Sequence, residues 1–206
     1  MPGPYFHKTG WSSFDVRGTT YTLDHLKEYA FTVSDSTGQR RTIAVTFRDH
    51  CFTRAPEHGD DRALYYPGSD RKPGVFCFKR YRFSLDLVSH IERATAGKAW
   101  SLDSENFAAV PVVDDAGQPM LYGIIFSLDR VKGLQEVDLH MRVETAYPID
   151  EKELSTFGHV RFSHLVTLRM DNKRPKRVYD RHRQRPRNPP AQKVAPQELA
   201  KETKKE

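Results

Sequence analysis

Hydrophobic and polar residues alternate along much of this chain, and a period of two is typical of β-strands. The cleanest run is Arg41–Phe52. Before it, Tyr21–Val33 is rich in β-branched and aromatic residues, although Asp24–Glu28 inside that run also suits a helical turn. Ser34–Gly38 between the two runs is a turn signal. The pattern therefore predicts a β-hairpin near the start of the chain.

Three more alternating runs follow in the second half, and short turns separate them. They are Phe107–Val113, Leu121–Leu128 and Val137–Tyr147. Short connections favour antiparallel neighbours, so we expect these runs to form a meander. A last strand is predicted at Val160–Met170, before the C-terminal tail.

One segment shows helical spacing instead. Val75–Arg82 is predicted as a strand that leads into a helix capped by Ser84, and Gly97 ends that helix. Apolar residues recur on one face of the helix at Leu87, Val88, Ile91 and Ala94. The polar stretch Ala55–Gly74 is predicted as a long loop. The expected fold is therefore α+β: an antiparallel, β-rich single domain, residues 1–171, with one main helix.

The charge distribution changes this picture at the C-terminus. Residues 172–206 contain twelve Lys and Arg against four Asp and Glu, a net of +8, whereas residues 1–171 carry a net of −2. The densest stretch of this tail, Lys173–Arg187, is rich in Arg with interspersed Pro and has almost no apolar residues, so we expect the tail to be disordered on its own. Guanidinium groups bind phosphates through paired hydrogen bonds, which makes nucleic acid the expected partner. The alternative is a tail that only increases solubility.

Several kinds of chemistry lack their motifs. The chain has no Gly-x-x-x-x-Gly-Lys, Gly-x-Gly-x-x-Gly, His-Glu-x-x-His or Gly-x-Ser-x-Gly sequence, and we predict no cofactor. His50, Cys51, Cys77 and His58 offer only one close pair of zinc ligands, so we interpret the cysteines as small buried hydrophobes and predict no metal site. No apolar run is long enough for a membrane helix, and we expect a cytoplasmic protein without a membrane partner.

The strand ending in Leu139–Pro148 carries the first candidate site. With regular alternation, His140, Arg142 and Glu144 share one face of the strand. A His, an Arg and a Glu in one row could supply a general base, a phosphate clamp and a general acid, the set that RNA cleavage without metal requires. The alternative is a strand with an ordinary solvated face.

The same strand carries a resemblance. Thr145-Ala146-Tyr147-Pro148 resembles the terminal strand of small bacterial toxin-type ribonucleases of the barnase/EndoU/colicin class, in which the sheet follows a helix. This resemblance implies that Thr145 and Tyr147 lie at an active site. It also implies an upstream catalytic histidine, for which His90 is the nearest candidate by order and His50 the next. Regular alternation would make Thr145 and Tyr147 face away from His140 and Arg142, so the two candidate sites compete.

Basic and aromatic residues interleave in Phe76–Phe83, where alternation places Arg80 on one face with Phe76 and Phe78. We therefore predict a nucleic-acid-associated binding or adaptor protein, with RNA favoured over DNA and a protein partner for the body left open. The alternative is a metal-independent endoribonuclease with the catalytic candidates His50, His140, Arg142, Thr145 and Tyr147. The predicted nucleic-acid-binding residues are Arg80, Lys173, Arg174, Lys176, Arg177, Arg181, Arg183, Arg185 and Arg187.

Overall fold

A computed structural model describes residues 6, 10–67, 73–101, 105–114, 116–149 and 158–175. Its strands are β1 Phe14–Val16, β2 Thr19–Tyr21, β3 Tyr29–Ser34, β4 Arg40–Phe47, β5 Thr53–Arg54, β6 Tyr65–Tyr66, β7 Gly74–Phe76, β8 Lys98–Ser101, β9 Asn106–Val113, β10 Pro119–Arg130, β11 Leu139–Ile149 and β12 His159–Arg161. Its α-helices are α1 Phe78–Ser84, α2 Leu87–Thr95 and α3 Phe162–Met170. Short 3-10 helices lie at Asp24–Leu26, Asp49–Cys51 and Arg62–Leu64.

The main sheet has seven strands in the order β12-β8-β9-β10-β11-β4-β3. Its pairs are antiparallel except for β11 and β4, which run parallel. Strands β1 and β2 form a separate hairpin, and β5, β7 and β6 form a small three-stranded sheet. The predicted α+β class is confirmed, and so are the β3–β4 hairpin and the meander of β9, β10 and β11.

Helices α2 and α3 cover one face of the main sheet. Leu87, Ile91 and Ala94 of α2 are buried, as the helical spacing predicts, and α3 buries its own apolar side chains in the same core. Their sheet partners include Ile124 and Met141. Strand β4 is buried from Ile43 through Phe47, on both of its faces. A strand enclosed on both faces reads as a continuous apolar run, which explains why this segment is so poor in charged residues.

Two hairpins of the main sheet use the same turn. In β3–β4, Oδ1 of Asp35 accepts hydrogen bonds from the amides of Thr37, at 2.9 Å, and Gln39, at 3.0 Å. In β9–β10, Oδ1 of Asp114 accepts from the amides of Ala116, at 2.9 Å, and Gln118, at 2.8 Å. Each turn has its glycine, Gly38 or Gly117, at a positive φ of 85° or 76°. An Asp-x-x-Gly-Gln sequence thus specifies the turn twice.

Four predicted strand segments differ from the structure. Tyr21–Val33 is divided by the 3-10 helix Asp24–Leu26, and β3 starts only at Tyr29. Strand β4 ends at Phe47, so His50 and Cys51 lie on a 3-10 helix and not on the strand. Strand β7 ends at Phe76, so Arg80 lies on α1 and shares no strand face with Phe76 and Phe78. A chain that passes from the sheet to a helix loses the period of two, which makes the face assignments beyond the strand end wrong.

The predicted strand Val160–Met170 is also wrong, because most of it is helix α3. Its buried residues are Phe162, Leu165 and Val166, which follow the i, i+3, i+4 spacing of a helix. The β-branched residues Val166 and Thr167 favoured a strand, but packing against the sheet outweighs this weak preference.

The basic tail is described only at its beginning. Lys173 and Arg174 are exposed, whereas Lys176, Arg177, Arg181, Arg183, Arg185 and Arg187 lie outside the described residues. Within the described ranges, no helix has the length and apolar character needed to cross a membrane.

Candidate functional site

A β-bulge in β11 decides which side chains share a face. Thr145 is paired with Ile125 on β10 while Val143 is paired with Phe126, so Glu144 is one residue in excess on β11. The buried residues change register at the same point, from Leu139, Met141 and Val143 to Ala146.

The bulge overturns the expectation that the two candidate sites face opposite sides. Residues directly opposite each other in an antiparallel pair share a face. Arg142 is paired with Ser127, Thr145 with Ile125 and Tyr147 with Gly123. These three β10 residues occupy alternate positions, between the core residues Tyr122, Ile124, Phe126 and Leu128. His140, Arg142, Thr145 and Tyr147 therefore all lie on the face opposite to α2 and α3.

His140 lies beside the parallel strand β4. Its Nε2 is 2.8 Å from the hydroxyl oxygen of Thr46, which is buried. The ring of Phe6 stacks on the imidazole with 3.9 Å between ring centroids and 21° between the planes. These contacts fix the orientation of the imidazole and cover one of its faces.

Glu144, the bulge residue, lies between two guanidinium groups. Its Oε1 is 2.5 Å from Nε of Arg142, and its Oε2 is 3.8 Å from Nε of Arg48. The Glu144 side chain is 17% exposed, whereas Arg142 keeps 45% of its side-chain surface in solvent. Both carboxylate oxygens are therefore engaged by cations, and this arrangement suits positioning of the arginines better than proton donation to a substrate.

Arg80 reaches the same strand from helix α1. Its Nη1 donates to the carbonyl oxygens of His50 and Thr53, both at 2.8 Å, and to the hydroxyl of Thr145 at 3.2 Å. Its guanidinium carbon lies 5.5 Å from the centroid of the Tyr147 ring, a cation–π distance. Strand β4 has ended here, and the 3-10 helix Asp49–Cys51 takes its place beside β11, which brings the His50 carbonyl within reach.

The candidates therefore form two groups on one face rather than one site. The first contains His140, Thr46 and Arg142; the second contains Arg80, Thr145 and Tyr147. His140 and Thr145 are five residues apart on a continuous strand, which separates them by about 15 Å. A catalytic set converging on one reacting atom would have to come from within one group, whereas a surface that follows an extended ligand can use both.

The remaining sequence candidates lie elsewhere. His50 contributes its carbonyl oxygen to the second group, and His90 lies on α2, on the helix-covered side of the sheet. Cys51 is buried, burial raises the pKa of its thiol well above the usual range, and Cys77 precedes helix α1 half-buried. Across the described ranges, no three His, Cys, Asp or Glu residues cluster closely enough to hold a metal ion.

The sequence interpretation did not connect Thr46, Arg48 or Phe6 with β11, where their partners His140 and Glu144 lie at least 90 positions away along the chain. The parallel register of β4 and β11 brings Thr46 and Arg142 opposite each other. No local pattern indicates such a pairing, since it depends on a crossover between distant segments.

The fold and these side chains define an α+β protein with a mixed seven-stranded sheet and an arginine-rich face on one of its central strands. The chain belongs to the YjaZ family, whose model matches residues 13–170. No curated protein matches the chain, and no solved structure matches it.

Proposed function

We propose that this protein binds nucleic acid, RNA in preference to DNA, and that its basic C-terminal segment supplies most of the affinity. The observation that carries the proposal is the separation of charge: residues 172–206 have a net charge of +8, and the rest of the chain has −2. Cations that neutralise phosphates release condensed counterions, which drives binding of a polyanion whatever its sequence.

The surroundings of the first residues of this segment support the proposal. It begins at the end of α3, where Nη1 of Arg130 donates to the Met170 carbonyl at 3.0 Å. Burial lowers the pKa of Arg169, the nearby Asp129 carboxylate opposes this, and the positive charge of Arg174 lowers it further. A group of cations that repel one another gains free energy when an anion arrives. Lys173 and Arg174 are exposed beside these cations, and Nζ of Lys173 also lies 3.0 Å from Oδ2 of Asp171.

The arginine-rich face of β11 supports an RNA strand as the ligand. Arg142 is half-exposed on that face, and Tyr147 with Arg80 over its ring lies further along it. Phosphates pair with guanidinium groups, and unstacked bases of single-stranded RNA stack on aromatic rings. Two groups about 15 Å apart along one strand suit several consecutive nucleotides. A protein partner of the body would contact Phe78, the first residue of α1, and Leu85, which follows its last residue; they are 45% and 48% exposed.

The test is the salt dependence of binding to a labelled single-stranded RNA. We expect log K to fall with log salt by about 0.7 for each phosphate contact, and a chain ending at Pro175 to lose most of that slope. Ending at Pro175 keeps the bond from the Lys173 amide to the Leu168 carbonyl, at 2.7 Å, which closes α3. An unchanged slope in the shortened chain would contradict the proposal.

A matched pair of variants separates the contribution of the densely spaced arginines to RNA affinity from the contribution of net charge. Changing Arg181, Arg183, Arg185 and Arg187 to Gln removes four positive charges from the densest stretch. Changing Lys193, Lys201, Lys204 and Lys205 to Gln removes four from the end of the segment. We expect the first set to weaken binding more, because guanidinium forks pair with phosphates in two parallel bonds. Equal losses would mean that net charge alone matters.

A second candidate function is metal-independent RNA cleavage, and one observation favours it: the bulge brings His140, Arg142, Thr145 and Tyr147 to one face. Attack by the 2′-hydroxyl would leave 2′,3′-cyclic phosphate ends and would persist in EDTA. His140→Ala should abolish turnover if the first group acts, and Thr145→Val or Tyr147→Phe should do so if the second group acts. Full activity in all three variants, or no cleavage by the unaltered protein, would reject this function.

A further inference from the structure

A cavity of about 640 Å³ lies between the α1–α2 pair and the hairpin of β9 and β10. It is on the helix side of the sheet, away from the groups on β11. Its volume falls within the range of pockets that bind small molecules. Its walls include the apolar residues Phe83, Pro111 and Val112, and its polar lining includes Asp86, His90 and Arg93.

His90 is the buried polar group of this cavity. Its side chain is on the wall, yet the residue is only 8% exposed, and its ring meets that of Tyr122 edge-on at 5.3 Å. Its Nδ1 is closed to solvent and has no hydrogen-bond partner among the described residues. Burial lowers the pKa of the imidazole, which favours the neutral form of the ring. A proton on Nδ1 would be an unsatisfied buried donor, which leaves Nε2 as the N–H that a ligand can meet.

Asp86 supplies a hydrogen-bond acceptor next to this donor. It precedes the first turn of α2, where an aspartate normally accepts a hydrogen bond from a backbone amide of its own helix. Here the Asp86 side chain makes no such bond. Residues four apart on a helix are neighbours at about 6 Å, so its carboxylate and the imidazole of His90 present an acceptor beside a donor.

Flat apolar surfaces flank this pair. The ring of Phe83 stacks on Tyr122 with 5.4 Å between centroids and 25° between planes, and this fixes its orientation. On the side of β9, Nη2 of Arg93 donates to the Pro111 carbonyl at 2.5 Å and holds the helix against the strand. The cavity therefore has fixed apolar walls, with Asp86, His90 and Arg93 on the side of α2 and Asp114 on the side of the hairpin.

We propose that this cavity binds a single unstacked nucleobase, with Asp86 and His90 reading an edge that carries a donor beside an acceptor. Nucleobases are planar and neutral, and the Watson–Crick edge of each has this combination. The charged lining is balanced, since Arg82 and Arg93 accompany Asp86 and Asp114, which favours a neutral polar ligand over an anion. This inference rests on the proposed function, because the cavity would bind one base of the bound RNA. Binding of free nucleosides, however, can be measured whether or not the protein binds RNA.

The first experiment titrates the full chain with uridine, 3-methyluridine and ribose 5-phosphate by calorimetry. Methylation of N3 removes the N–H whose hydrogen bond Asp86 would accept, and ribose 5-phosphate has no base. We expect uridine to bind, 3-methyluridine to bind about tenfold more weakly or worse, and ribose 5-phosphate not to bind. Equal affinities for uridine and its methylated form, or no uridine binding at millimolar concentration, would overturn the inference.

The second experiment locates the site with matched variants of α2. Asp86→Ala removes an exposed side chain that does not cap the helix, and we expect it to weaken uridine binding about tenfold. Glu92→Ala, an exposed acidic residue of the same helix outside the cavity, should leave it unchanged. His90→Gln keeps a donor and should bind better than His90→Phe. Uridine binding unaffected by Asp86→Ala would overturn the site.

Two measurements distinguish the base pocket from the basic segment. For single-stranded RNA, Asp86→Ala should lower affinity without changing the salt slope, because no phosphate contact is lost. The chain ending at Pro175 should lose the slope and still bind uridine. Uridine binding without any RNA binding would reject the proposed function and leave the base pocket standing, whereas the reverse result would reject the pocket alone.

Discussion

Asp35 offers the sharpest stability test, because its carboxylate is buried and fully engaged. Its side chain is 2% exposed and accepts the hydrogen bonds that hold the turn between β3 and β4. Hydrogen bonding from the Thr37 hydroxyl is the largest effect on its acidity, burial acts in the opposite direction, and Arg41 adds an ion pair at 3.0 Å. Together they lower the pKa of Asp35 from 3.8 to about 2.

This pKa difference sets the expected magnitude. Each pKa unit corresponds to about 1.4 kcal/mol, so ionised Asp35 stabilises the folded state by about 2 kcal/mol relative to its protonated form. Because the folded-state pKa lies below the unfolded value, this contribution is fully present above pH 4 and is lost as the pH falls through 2. Asp35→Asn should therefore lower the free energy of unfolding by about 2 kcal/mol at pH 7 and by about half of that at pH 3.

Urea denaturation of both proteins between pH 7 and pH 3, followed by tryptophan fluorescence, measures this difference. Asp114→Asn is the matched control, since Asp114 accepts the same two amide hydrogen bonds but has no ion pair within the described part of the chain. We expect it to cost about 1 kcal/mol or less at pH 7. A difference between Asp35→Asn and the unaltered protein that stays constant from pH 7 to pH 3 would refute the reasoning.

The hairpin held by Asp35 also bears on the basic segment. The amide of Ser36 donates to the Ser163 carbonyl at 3.1 Å and to the Thr167 hydroxyl at 3.0 Å, which ties the turn to α3. Helix α3 leads directly into the basic residues. Loosening the turn should therefore loosen the anchor of the segment, and hydrogen exchange of α3 amides in Asp35→Asn measures that coupling.

Two further predictions concern packing and thiol chemistry. A Cβ on Gly123 would lie 2.6 Å from the Phe107 ring, so Gly123→Ala should lower the free energy of unfolding by about 1–3 kcal/mol. Gly97→Ala is the control, because its Cβ would have its nearest contact at 3.4 Å, and it should change stability little. Equal urea midpoints for the two variants would contradict this prediction. Cys77 should react with a thiol reagent in the native protein, and Cys51, buried and with a raised thiol pKa, only after unfolding. Two rapidly reacting thiols in native protein would show that the Cys51 site opens.

The sequence predicts the local parts of the fold well. Alternation identifies β3, β9, β10 and β11, because each has one face in the core, and the β3–β4 and β9–β10 turns each have an Asp and Gly signal. Strand β4 is also found, although it is buried on both faces. Helix α2 follows from its spacing. Helix α3 does not, because its β-branched residues resemble a strand and only the sheet it packs against selects the helical period.

The candidate site shows a different limit of sequence analysis. Each of His140, Arg142, Thr145 and Tyr147 is recognisable from residue type and the strand that carries it, yet their relative orientation depends on one excess residue. A bulge has no reliable local signature, since Glu144 differs little from other polar strand residues. The contacts of Arg80 and Thr46 depend in turn on where β4 ends and on the parallel pairing with β11.

The bulge also bears on the choice between the two functions proposed for this face. It places Glu144 between Arg48 and Arg142, which orients Arg142 while leaving it half-exposed. It also turns Tyr147 to the same side, where Arg80 lies over its ring. An oriented cation and an aromatic ring spaced along a strand are the features that successive nucleotides need, because phosphate pairing and base stacking require no common reacting point. Catalysis would need a base, an acid and a cation within one group, and in the described ranges only His140 with Thr46 and Arg142 comes near that arrangement.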